Sequence, residues 1–128
     1  DVAMVALVRL RSAGGEALVL QRSVLAASLW SEISNADFAS RSLYDVLAEQ
    51  CGIALDRASE TIRAVSLDGD DAALFGITPG SAALESIRVS RTVDGAAFLY
   101  DRALLRGEAT EIRTERSAAG MRVAFQTL

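Results

Sequence analysis

The sequence predicts an α+β fold, a mainly antiparallel sheet with helices segregated around it. Three observations lead there. Gly14-Gly15 lies between two apolar stretches, Asp94-Gly95 lies between two more, and the segment from Ser42 to Gly52 carries a clear helical period. Glycine and Asp-Gly turns between apolar runs specify hairpins, and adjacent hairpins build antiparallel sheet.

Val2 to Arg11 reads as a strand and Ala17 to Leu25 as its partner. A three-residue loop of Gly14, Gly15 and Glu16 would put Met4, Ala6, Val8 and Leu10 on one face with Leu18, Leu20 and Val24. That face is almost wholly apolar and is expected to be the core face. The same register gathers Arg9, Arg11, Gln21 and Ser23 on the opposite face, with Arg22 out of pattern. Ser28 to Phe38 is irregular, a helical turn and loop in which Trp30, Ile33 and Phe38 provide the burial. Ser42 then caps a helix with an apolar stripe of Leu43, Val46, Leu47 and Ile53, and Gly52 stops it.

Ala58 to Leu67 suits a strand, and Asp70 or Asp71 can cap a short helix carrying Ala72 to Phe75 before the Pro79-Gly80 turn. Ala83 to Val93 and Ala96 to Leu105 read as strands. A two-residue Asp94-Gly95 turn sets Val93 opposite Ala96 and brings Arg88 opposite Asp101 as a cross-strand ion pair. A loop at Ser117 to Gly120 precedes a terminal strand, Met121 to Leu128.

At 128 residues the chain suits one domain, and 51% hydrophobic with 23% charged residues places it among chains that fold. The 13 basic and 17 acidic residues, net charge -4, form no basic block able to neutralise a phosphate backbone, which argues against direct nucleic-acid binding. No apolar run approaches the roughly 20 residues of a spanning helix, and no signal-like segment opens the chain, so no membrane association and a cytoplasmic location are expected. Absence of histidine removes the commonest general base and metal ligand. The single Cys51, near the end of the apolar-periodic helix, reads as a small packed hydrophobe. The chain opens at Asp1 directly in an alternating stretch, as a piece of a longer polypeptide would.

Arg9 and Arg11, two apart on one strand, project guanidinium groups about 7 Å apart, close enough to converge on one carboxylate or phosphate. An exposed strand face neutralised by surface acids such as Glu16 satisfies the same spacing. Gln21 and Ser23 would add neutral hydrogen-bonding groups. Ser42 and Tyr44 place two hydroxyls at a helix N-terminus, where unpaired N–H groups favour an anion; ordinary capping by Ser42 is the alternative. The sequence holds no phosphate loop, metal-ligand cluster or nucleophile–base pairing, so no catalytic residue, metal or cofactor is expected.

Taken in order, R-L-R within Leu7 to Arg11, V-L-Q-R-S-V-L at Val19 to Leu25, S-L-Y-D-V-L-A-E-Q-C-G-I at Ser42 to Ile53, A-A-L-F-G-I-T-P-G at Ala72 to Gly80, I-R-V-S-R-T-V-D-G at Ile87 to Gly95 and L-L-R-G at Leu104 to Gly107 resemble the UTRA domain of HutC-type GntR transcription regulators. The resemblance implies a chorismate-lyase-like sheet, a homodimer, and a small anionic effector that acts on a repressor's hold on operator DNA. It implies that residues 1–128 form the effector-binding and dimerisation domain, without the family's first strand and helix and without the winged helix-turn-helix that binds DNA. It assigns ligand binding to Arg9, Arg11, Gln21 (usually Glu), Ser42 and Tyr44. Leu99, Leu105 and Glu108 depart from an acid, a tyrosine and an aspartate, and the exchange of an acid and two hydrogen-bonding groups for Leu99, Leu105 and the Gln21 amide implies a less hydroxylated effector than a sugar phosphate. A chorismate-lyase-like enzyme and a ligand-free dimerisation module are the competing readings.

Overall fold

In the computed structural model, which describes residues 2–127, the first hairpin joins β1 (Met4–Ala13) to β2 (Glu16–Ala26). Its loop is Gly14 and Gly15 alone, at φ 58° and 79°. A two-residue hairpin turn needs this left-handed backbone, which glycine adopts without steric cost. The expected three-residue loop is corrected, because Glu16 already belongs to β2.

The expected core face is also overturned. Met4, Val8 and Leu10 are 54%, 52% and 45% exposed, whereas Val5, Leu7 and Arg9 on the alternate face are half-buried. In β2 the buried positions are Leu20, then Ser23 and Leu25, so the alternation changes phase between Leu20 and Ser23. The expectation assumed one unbroken period of two. A shift of one residue exchanges the faces of everything beyond it.

α1 (Ala27–Ile33) replaces the expected helical turn with a short helix: Ile33 is fully buried, and Trp30 stacks on Phe38 at 5.9 Å between centroids. α2 (Leu43–Cys51) has the predicted cap and stop, but Ile53, expected in its apolar stripe, lies beyond its end. The Ser42 side chain accepts from the Asp45 N–H at 3.0 Å, and Leu43, Val46 and Leu47 form the buried stripe. Gly52 turns left-handed, and its N–H and that of Ile53 both donate to the Leu47 carbonyl. These bonds satisfy a carbonyl that the helix end would otherwise leave open.

β3 (Arg57–Ser66) leads to α3 (Gly69–Phe75), whose cap is Asp68 rather than Asp70 or Asp71. Asp68 accepts from the Asp71 N–H at 2.8 Å; Asp70 and Asp71 lie in the first turn, where acids meet the positive end of the helix dipole. β4 (Ala82–Arg91) and β5 (Ala97–Arg106) form the second hairpin. The Gly95 N–H donates to the Thr92 carbonyl and the Thr92 N–H to the Ala96 carbonyl. The loop is therefore Val93, Asp94 and Gly95, a turn followed by a left-handed glycine, and not the expected two-residue Asp94-Gly95 turn. Asp94 favours this form by accepting from the Thr92 hydroxyl and the Ala96 N–H, contacts that also hold its carboxyl below the ordinary range.

A 3-10 turn at Gly107–Ala109 leads into β6 (Thr110–Ser117), which pairs with β7 (Gly120–Thr127) in register from Thr110–Thr127 to Ser117–Gly120. β6 has no counterpart in the expected element order. The expected terminal strand runs on to Leu128, which lies outside the described residues. The strand order is β1-β2-β5-β4-β3 in a five-stranded sheet, with β6-β7 a separate pair, and the α+β class is as expected.

The chain divides into two units. The first holds Asp1–Val8, Gln21–Thr61 and Ile87–Arg102; α1 and α2 cover its sheet strands through a core of Leu25, Ile33, Leu43, Val46, Leu47 and Leu99. The second holds Arg9–Leu20, Ile62–Ser86 and Ala103–Leu128, with α3 packed through Ala72 and Phe75 on Leu20, Leu67, Ala83 and Leu104.

Cys51, at the end of α2, is half-buried. Burial, then a hydrogen bond and charge repulsion from Glu32, push its thiol from 9.0 to about 11. A pKa raised by folding stabilises the native state fully below the unfolded value and loses that contribution as pH rises through the folded one. Native Cys51 is therefore expected to react with iodoacetamide much more slowly at neutral pH than in the denatured chain, accelerating only toward pH 11. Equal native and denatured rates would show that it lacks this shielding.

Candidate functional site

The polar side chains of the first unit converge on two points, Asp101 in β5 and Tyr44 in α2. Tyr44 follows the capped start of α2, and its hydroxyl is 2.6 Å from Ser90 Oγ in β4. Its ring meets Phe98 edge-on at 6.4 Å, and the Arg88 guanidinium carbon lies 5.3 Å from its centroid. Arg88 and Ser90 are two apart on β4, so one strand face presents both.

Asp101 is 4% exposed. Its Oδ1 accepts from Ser23 Oγ at 2.5 Å and from Gln21 Nε2 at 3.4 Å. Its Oδ2 faces Arg88 Nη2 at 3.6 Å. The Arg88–Asp101 ion pair expected from the hairpin is therefore present, although the turn beside it has a different length. A buried carboxylate is tolerable only with such partners, because removal from water otherwise costs several kcal/mol. Ser23 and Ser90 are fully buried, each with its hydroxyl bonded within this cluster.

Of the five expected ligand residues, Gln21 and Tyr44 are in the cluster. Ser42 is exposed and acts as the α2 cap. Arg9 and Arg11 lie on β1 in the second unit, Arg9 half-buried and Arg11 exposed. Leu99 is a core residue beneath α1 and α2. Sequence reasoning passed over Ser90 and saw Asp101 only as a partner for Arg88. The available signal was the spacing Arg88, Ser90 in a strand whose flanks are apolar, a polar row where burial was expected.

The structure is similar to a GntR-family transcriptional regulator from Enterococcus faecalis V583, with 25% identity and TM-score 0.79 over 88% of this chain and 81% of that one. It is similar to PhnF from Mycobacterium smegmatis, with 26% identity and TM-score 0.80 over 90% of this chain. The chain spans about half of that protein, 51%. Against the isolated effector domain of PhnF the identity is 28% and the TM-score 0.73, covering 82% of this chain and 64% of that one. No curated protein matches the sequence. The UTRA domain model matches residues 2–111, and the chain belongs to that family. Its fold is the chorismate-lyase-like α+β sheet of GntR effector domains. Among the described residues no helix is long and apolar enough to cross a membrane.

Proposed function

We propose that this chain is the effector-sensing and dimerisation domain of a cytoplasmic HutC-subfamily repressor, and that it binds a small anionic metabolite rather than catalysing a reaction. Residues 1–128 act as sensor, and operator DNA is held by a winged helix-turn-helix elsewhere on the polypeptide. Effector binding shifts the dimer toward a state that releases DNA, which requires different effector affinities in the two states. The observation that carries this reading is the cluster of Gln21, Ser23, Tyr44, Arg88, Ser90 and Asp101, convergent polar groups in a family of regulator domains. Gln21 and Tyr44 serve the ligand from within that cluster. Ser42, Arg9 and Arg11 enter on the family resemblance alone.

Thermal unfolding of the chain against a panel of anionic metabolites tests the reading. A bound effector at a hundred times its Kd is expected to stabilise the fold by about 2.7 kcal/mol, and Arg11→Ala is expected to abolish most of that gain. No stabilisation by any anion, or equal stabilisation of Arg11→Ala, would count against it.

A further inference from the structure

Arg88 is the cation of the first unit's polar cluster, and its hydrogen-bonding capacity is unfilled. Its Nε is buried with no hydrogen-bond partner among the described residues, and so is Asp101 Oδ2. The 3.6 Å between Arg88 Nη2 and Asp101 Oδ2 lies within ion-pair range and beyond hydrogen-bonding range. Where an arginine of this chain meets a buried carboxylate at Glu85, the gap is closed: Arg63 Nε donates to it at 2.7 Å, whereas the surface pairs Arg106–Glu16 and Arg113–Glu115 stay open at 3.9 Å.

A purely structural pair gains most by closing to direct charge-assisted hydrogen bonds. Here Ser23 and Gln21 hold the Asp101 carboxylate through its other oxygen, which keeps it back from the guanidinium. The Tyr44 ring lies against Arg88 on another side. The Arg88 side chain is 33% exposed, against 5% for Asp101, so the cation is the more accessible member of the pair.

We infer that Arg88 is an anion-binding residue of the effector site, taking an oxyanion group (carboxylate, phosphate or phosphonate) on its unfilled donors. Asp101 and Tyr44 are positioning residues: one orients the guanidinium electrostatically without occupying its donors, the other supports it through a cation–π contact. Because Asp101 also repels the arriving anion, it lowers affinity while it maintains geometry. This inference rests on the effector-sensing reading and adds a residue to it.

Inorganic phosphate and acetate are titrated into the whole chain by calorimetry and thermal unfolding, with sodium chloride matched for ionic strength. Arg88→Gln is expected to weaken oxyanion binding about tenfold to a hundredfold, the loss of a hydrogen bond to a charged group. Arg88→Lys is expected to recover part of it, as a point charge without the planar fork. Asp101→Asn keeps the side-chain shape and the acceptor for Ser23, and is expected to strengthen binding several-fold by removing a like charge. If wild type, Arg88→Gln and Asp101→Asn bind with equal affinity, the role of Arg88 is overturned while the anionic-effector reading stands. If neither wild type nor Asp101→Asn binds either anion, both fall. Should Arg88→Gln not fold, Asp101→Asn decides alone: unchanged affinity overturns the inference.

Discussion

Leu47→Ala is expected to lower the stability of the fold by about 2–5 kcal/mol, measured as a drop in the denaturant midpoint at unchanged slope. Leu47 is fully buried at the centre of the core that α1 and α2 build with Leu25, Ile33, Leu43, Val46 and Leu99. Alanine is the best helix former, so the substitution does not weaken α2 itself. The Leu47 carbonyl that accepts from Gly52 and Ile53 is also unchanged. The whole loss therefore reports the side chain's burial and the void left behind. A loss below about 1 kcal/mol would mean that neighbouring side chains collapse into the space, which native packing density opposes.

Gly107→Ala is expected to destabilise by about 1–3 kcal/mol, for the opposite reason. A Cβ there would lie 2.6 Å from the Ala82 carbonyl oxygen and 2.9 Å from its carbon. Both are backbone atoms at the start of β4, which cannot rotate aside as a side-chain tip would. Glycine-to-alanine changes otherwise stabilise by about 0.4–1 kcal/mol, by reducing the freedom of the unfolded chain. The sign of the measured change thus decides whether close approach or chain entropy dominates. Gly69→Ala is the control: nothing lies within 4 Å of its added Cβ, so it is expected to be neutral or stabilising in the same assay.

What could be read from the sequence was what local chemistry determines. The α2 segment carries its cap, stripe and stop within Ser42 to Gly52, so nothing distant is needed to specify it. Both hairpins were legible from their glycines, yet both loop lengths came out wrong by one, because Gly14-Gly15 and Asp94-Gly95 each fit more than one turn geometry. The faces of β1 were not legible. Alternation tells which residues travel together, but not which set the helices will cover, and the apolar row of Met4, Val8 and Leu10 is the uncovered one. β6 gave no signal because all but one of its residues are exposed; backbone pairing with β7 holds it rather than burial.

The candidate site divided along the same line. Gln21 and Tyr44 were named from type and position, and the Arg88–Asp101 pair from hairpin geometry. That these belong to one cluster depends on α2 packing against β4, which brings Tyr44 to Ser90 across 46 positions of sequence. No spacing rule carries such a contact. Ser42 was correctly located, but what the structure shows is the ordinary role of a helix cap.

The change of phase in β2 separates the length of this strand from the placement of its side chains. With one residue removed between Leu20 and Ser23, an unbroken alternation would still put Leu20, Ser23 and Leu25 on one face, as they must be for the buried positions they now fill. A deletion anywhere else in the strand would reverse every side chain beyond it. A residue gained or lost between Leu20 and Ser23 therefore leaves those two side chains and Leu25 on a common face, and this is also where the chain leaves the second unit for the first.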